Sequence, residues 1–220
     1  MNLARRLAAE AIGTALLLAI VVGSGIMGER LSQGNDAIAL LGNSIATGAG
    51  LAVLIFLFAP ISGAHFNPVV TLVDAIDGKL NWRDASYYVP VQIIAALAGV
   101  AATHLMFNEA LFTPSDHARL GLSQWWSEFI ATFGLILVIK LSVHHNAKAV
   151  PFTVAAYITA AYWFTASTSF ANPAVTLARS LTPTFAGIRP DGIIGFIVAQ
   201  ILAALVAANV AAWIVGTPKK

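Results

Sequence analysis

The chain has 220 residues, 58% of them apolar and only 10% charged, with a formal net charge of +2 and no cysteine. That composition excludes an ordinary soluble domain and describes a polytopic membrane protein. Basic residues are spread over the ends of apolar runs and not gathered in a patch, which argues against nucleic-acid binding, and without cysteine there is no disulfide or thiol chemistry.

In chain order, apolar segments lie at about 7–28, 37–59, 85–107, 124–143, 149–168 and 193–215, each near the roughly 20 residues that a spanning helix needs. Arg5 and Arg6 ahead of the first run resemble the start of a signal peptide. Glu10 interrupts that run, however, and the segment recurs later, so it is read as the first span. Six spans put both termini on one side. The breaks fall at polar or Gly- and Pro-containing stretches: Gly28 to Arg30, Asp74 to Arg83, Asn108 to Gly121, His144 to Lys148 and Thr182 to Asp191.

Two of these gaps carry the same short stretch, SGAHFNPVVTL at 62–72 and STSFANPAVTL at 167–177. Asn as cap with Pro at the first helical position is how a helix starts. Asn67-Pro68 and Asn172-Pro173 therefore predict two half-helices, about 67–76 and 172–181, both beginning inside the membrane and too short to cross it. The rest of the chain repeats in step. Glu10 to Thr14 (EAIGT) returns as Glu128 to Thr132 (EFIAT), and Gln92 to Leu97 (QIIAAL) as Gln200 to Leu205 (QILAAL). With three spans in each half, the second copy enters from the opposite face. A single channel domain over 1–220, made of inverted repeats at about 1–115 and 116–220, is the expected organisation.

Orientation follows from Lys and Arg. With the termini cytoplasmic, Arg5, Arg6, Lys79, Arg83, Lys140, Lys148, Lys219 and Lys220 lie inside, and only Arg30, Arg119, Arg179 and Arg189 outside. Trp82, Trp125, Trp126 and Trp213 sit near span ends as interface anchors. Gly48, Gly50, Gly99 and Gly134 lie within spans, where small residues allow close helix contact.

Two half-helices meeting head to head turn their N-terminal partial charges, and the Asn67 and Asn172 amides, toward one point at the midplane. A cation is repelled there, whereas a neutral molecule with lone pairs accepts hydrogen bonds from the amides.

On these motifs the sequence resembles the major intrinsic protein family, the aquaporins and glycerol facilitators. GAHFNPV at 63–69 matches the first family signature and NPA at 172–174 the second, and the likeness covers the whole chain. It implies an all-α membrane fold of six transmembrane helices plus two re-entrant half-helices, a homotetramer with one pore per subunit, and passive permeation without cofactor, metal or enzymatic step. It further implies that Glu10 and Glu128 accept hydrogen bonds from the re-entrant loops, as a carboxylate within a span requires, and that His65 faces the inner vestibule.

Two departures from the family pattern stand out. Val69 replaces the usual Ala, a local packing change. More consequentially, most members carry Arg three positions after the second Asn, and here that residue is Val175. Counting by the family's spacing gives Thr47, Ala160 and Ser169 as the other constriction residues, a wide, weakly polar filter without arginine that suits solutes larger than water. Arg179 is placed in the outer vestibule, with capping of the half-helix or pairing with Asp191 as its competing role. The resemblance is to a divergent bacterial branch linked with arsenic resistance, which implies glycerol, water and possible metalloid hydroxides such as arsenite as solutes, and a plasma (inner) membrane location. An ion-coupled secondary transporter is the alternative, because inverted repeats and broken helices occur there too. Glu10 and Glu128 would then be its coupling carboxylates.

Overall fold

The computed structural model describes residues 1–216, and Lys219 and Lys220 lie outside the described residues. Among the described residues eight α-helices follow one another: α1 (Leu3–Leu31), α2 (Asp36–Ser62), α3 (Pro68–Ile76), α4 (Trp82–Phe107), α5 (Leu122–Asn146), α6 (Val150–Phe164), α7 (Pro173–Arg179) and α8 (Ile193–Ile214). Asn2, Asn35 and Asn81 cap α1, α2 and α4, each side chain accepting from a backbone N–H of the first turn. By length and composition five continuous helical stretches can cross a membrane, one of them the 43 residues Leu122–Phe164. That stretch is twice what one crossing needs. It breaks at Asn146, whose extended backbone (φ −161°, ψ 100°) opens a single 3-10 turn over Ala147–Ala149, and α5 and α6 pack against each other beyond it. It therefore makes two crossings, for six in all.

The short helices are the two Asn-Pro segments. α6 stops at Phe164, four residues before the expected end of its span, because Thr165 turns to extended backbone and starts the loop leading to Asn172. His144 and His145 belong to the last turn of α5 and not to a loop.

The two halves pack alike. α1 lies against α2 and α4, and α5 against α6 and α8. α2 and α6 join the halves, and α3 meets α7 between them. Lipid is as apolar as leucine, so burial of large side chains cannot hold such helices together and close approach of small ones must. α8 illustrates this. Ala203, Ala204, Ala207, Ala208 and Ala211 are buried, while Ile194, Val198, Leu202 and Val206 are exposed. At the α1–α4 contact a Cβ on Gly99 would lie 2.3 Å from the Ala15 carbonyl oxygen, so no larger residue fits unless the backbones part.

Ion pairs tie the ends of the elements together. Arg6 bonds Asp84 at 2.8 Å and Lys140 bonds Asp77 at 2.7 Å, which gathers the start of α1, the α3–α4 connection and α5 at one end of the bundle. Arg30 and Glu109, 2.8 Å apart, link the end of α1 to the segment after α4.

Candidate functional site

α3 and α7 begin face to face. Asn67 Oδ1 accepts from Val69 N at 3.0 Å, and Asn172 Oδ1 from Ala174 N at 3.0 Å and Val175 N at 3.3 Å, so each carbonyl oxygen caps its own half-helix. The amide nitrogens cross over. Asn67 Nδ2 donates to the Ala171 carbonyl and Asn172 Nδ2 to the Phe66 carbonyl, each at 2.8 Å. One amide hydrogen of each Asn is thereby spent on the opposite loop, leaving the second for a solute. Pro68 and Pro173 hold the first helical positions and are buried behind the caps.

The loops before these caps are held in costly backbone. Ala64 and Phe66 in the first loop and Thr168, Ser169 and Ala171 in the second have φ between 47° and 60°, a region that residues with a Cβ enter at a cost of order 1–2 kcal/mol each. Two carboxylates hold them there. Glu10 accepts from His65 N (3.0 Å), Phe66 N (2.7 Å), Ser62 Oγ (2.6 Å) and Gln92 Nε2 (2.9 Å). Glu128 accepts from Phe170 N and Ala171 N, both 2.8 Å, and from Gln200 Nε2 at 2.7 Å. Each Gln also donates to a half-helix threonine, Gln92 to Thr71 and Gln200 to Thr176. Both carboxylates are fully buried and neither lines the cavity, each surrounded by donors as an ion inside a membrane must be. Gln92 and Gln200 were visible in the sequence as members of the repeat, yet nothing there assigned them this task.

Between the loops runs a cavity with about 110 Å³ of water-accessible space, room for several waters. Its walls are two rows at four-residue spacing, Thr47, Leu51 and Ile55 on α2 and Val150, Val154, Ile158 and Tyr162 on α6, with Leu17 and Leu135 from α1 and α5. Its polar residues are Asn67, Asn172, Thr47, Tyr162, Ser169, His65 and Arg179. Among the described residues no carboxylate lines it.

At one end stands His65, with Nδ1 3.0 Å from Thr71 Oγ1 and Nε2 3.1 Å from Asp74 Oδ2. Gln92 donates to Thr71, so a consistent chain runs from the Thr71 hydroxyl to Nδ1 and from Nε2–H to Asp74, which fixes the ring at the lumen wall.

The other end departs from what residue counting led us to expect. Thr47, Ser169 and Val175 line the cavity, but Ala160 does not, because it is exposed on α6. Tyr162 takes the wall instead, its hydroxyl 3.2 Å from Thr47 Oγ1. A count back from Asn172 crosses the non-helical loop 165–171, and an error of two residues on a helix is a rotation of about 200°. The cavity wall therefore includes an aromatic ring. It also includes a guanidinium, contributed by Arg179 and not by position 175. Arg179 is 2% exposed, lines the cavity, and sits over the Phe170 ring with its Cζ 3.4 Å from the centroid. Its Nε donates to the Ala186 carbonyl. It does not pair with Asp191, which is bonded to Arg189 at 2.8 Å, and that hydrogen bond holds the Asp191 carboxyl below its ordinary range. Arg119, from the connection after α4, was read from sequence only as an outer basic residue. It reaches inward to bond the Gly187 carbonyl at 2.9 Å and the Ser167 carbonyl at 3.1 Å, with its guanidinium 5.3 Å from the same Phe170 ring. Burial pulls its guanidinium below its ordinary value, opposed by the charge of Glu128.

The sequence model described as "Major intrinsic protein" matches residues 1–159. The chain is 53% identical to "Aquaglyceroporin AqpS" of Rhizobium meliloti (strain 1021) over 213 residues, 97% of this chain and 91% of that protein. It is 29% identical to "Aquaporin NIP6-1" of Arabidopsis thaliana over 216 residues, 95% of this chain and 68% of that one. Among solved structures, the aquaglyceroporin from Plasmodium falciparum superposes with a TM-score of 0.71 over 99% of this chain and all of that one, at 18% identity, a likeness of fold.

Proposed function

The chain belongs to the major intrinsic protein family, and on that footing we propose that it is a passive transmembrane channel for small neutral solutes, glycerol and water first, with arsenite and other metalloid hydroxides within reach of the same chemistry. The observation that carries this reading is the cavity between the two Asn caps, largely apolar on its walls and bordered by unspent donors. A hydroxylated solute shedding water there meets the second amide hydrogens of Asn67 and Asn172. Exchanging hydrogen bonds to water for hydrogen bonds to the wall keeps the net cost of passage small. A cation meets two helix N-termini and a guanidinium, all of the wrong sign.

Glu10 and Glu128 act in this account as loop supports. Their oxygens are engaged by loop backbone N–H groups and neither carboxylate lines the cavity, which speaks against their carrying coupling ions and hence against an ion-coupled transporter. His65 forms the wall of the inner vestibule. Chain halves 1–115 and 116–220 act as inverted repeats, a reading supported by the matching Glu, Gln and Thr sets. We place both termini in the cytoplasm of the plasma (inner) membrane, since Arg5, Arg6, Lys79, Arg83, Lys140 and Lys148 cluster toward that end. A homotetramer is the assembly expected of this family.

Stopped-flow light scattering of proteoliposomes given gradients of water, glycerol and arsenite tests the reading. Permeabilities to glycerol above those of empty vesicles are expected, and vesicles no more permeable to any of the three than empty ones would refute it.

A further inference from the structure

Arg179 is a charged side chain, nearly fully buried, with one hydrogen bond and no ion pair among the described residues. Its Nη1 and Nη2 groups have no acceptor among the described residues, although a guanidinium offers five donors and is expensive to leave unsatisfied. What remains for them is the lumen, which Arg179 lines. The side chain is not there by accident of helix phase. The α7–α8 connection wraps it: Ile188 N donates to the Arg179 carbonyl at 3.1 Å, the Ala186 carbonyl takes its Nε, and Ala186 and Ile188 are fully buried. A Cβ on Gly187 would fall 2.1 Å from Ser115 Oγ and 2.4 Å from the Thr182 carbonyl oxygen, so the turn is as tight as glycine permits. The Phe170 ring supports the plane of the guanidinium, and Arg119 sits against the same ring while bonding the loop carbonyls behind it.

We propose that Arg179 is the specificity-determining residue of this pore: its free Nη donors bind acceptor oxygens of the passing solute, and its charge bars cations. Arg179 follows Val175 by four residues, a displacement of about 6 Å along the half-helix, so its guanidinium enters the lumen from a different backbone position than a side chain on Val175 would. This proposal rests on the channel reading given above.

The test uses full-length protein in liposomes, with wild type, Arg179→Met, Arg179→Lys and the exchange Val175→Arg/Arg179→Met, normalised to inserted protein. Arg179→Met is expected to raise potassium leak by about tenfold or more, the effect of removing one unit charge a few ångströms from the path in a medium of intermediate dielectric. It is also expected to lower glycerol permeability relative to water. The exchange variant should recover potassium exclusion while still conducting glycerol poorly, which a purely structural role for Arg179 does not predict. Where Arg179→Met fails to insert as a monodisperse protein, Arg179→Lys decides: retained potassium exclusion with a changed glycerol-to-water ratio supports the proposal, and an unchanged ratio overturns it. Wild-type leak and wild-type ratio in Arg179→Met also overturn it. Failure of the channel reading looks different, since wild type itself then conducts no glycerol.

Discussion

Asn67 and Asn172 each give one amide hydrogen to the other's loop, Asn67 Nδ2 to the Ala171 carbonyl and Asn172 Nδ2 to the Phe66 carbonyl, both at 2.8 Å. The same two side chains cap their own half-helices, so each closes one helix and clasps the other half of the molecule. Replacing Asn172 by Asp keeps the cap and removes the clasp. The Phe66 carbonyl then loses its donor, at about 1–3 kcal/mol, and a negative charge enters the lumen. We expect a lower melting temperature in detergent and a measurable potassium leak. A folded Asn172→Asp protein with wild-type solute flux and no leak would show that the amide does not face the permeating species.

Glu128 is joined to two loop N–H groups and to Gln200. Glu128→Ala leaves these buried donors without an acceptor, again at about 1–3 kcal/mol for each, and releases the left-handed backbone at Ser169 and Ala171. Glu128→Gln keeps an oxygen and is expected to be the milder change. Thermal unfolding of the two variants side by side checks the order. Equal stability of Glu128→Ala and wild type would remove the support role.

Gly99 tests the packing of the fold apart from the pore. A side-chain carbon added there would stand 2.3 Å from the Ala15 carbonyl oxygen and 2.9 Å from the Leu18 Cβ. Gly99→Leu is expected to destabilise by the upper part of the roughly 1–3 kcal/mol typical of overpacking, or more. Chemical denaturation in micelles reads it, and a neutral effect would mean that α1 and α4 separate easily.

Val175→Arg adds a second guanidinium one turn from Arg179. It narrows the lumen beside Ser169 and Tyr162 and should reduce glycerol and arsenite permeation much more than water. Equal losses for water and glycerol, measured in one proteoliposome preparation, would mean that this position does not set solute size.

How much of this was legible in the residues depends on whether the signal was local. Asn67 and Asn172 were readable because cap and Pro are neighbours in sequence, and the paired Glu10 and Glu128 because the chain states them twice. Tyr162 was missed and Ala160 wrongly chosen because the count crossed a loop whose length fixes helix phase. The four-residue row Val150, Val154, Ile158, Tyr162 was the clue available, since a residue in phase with three apolar wall positions belongs to the same face. Arg179 was left between the vestibule and Asp191, and it lies on the cavity wall. Whether an arginine at the end of a half-helix turns outward to Asp191 or inward to the lumen depends on the fold of residues 180–189, and no periodicity encodes that. Arg119 reaches the second loop across 48 residues of sequence, in a pairing that the repeat does not contain.

The central claim is passive conduction, and the most direct measurement of it is glycerol flux into proteoliposomes as a function of its gradient, with an internal pH dye in the same vesicles. The account predicts flux that rises linearly with the gradient, carries no protons, and is unchanged by an imposed pH difference. Saturating uptake accompanied by proton movement would contradict it and assign Glu10 and Glu128 a coupling role.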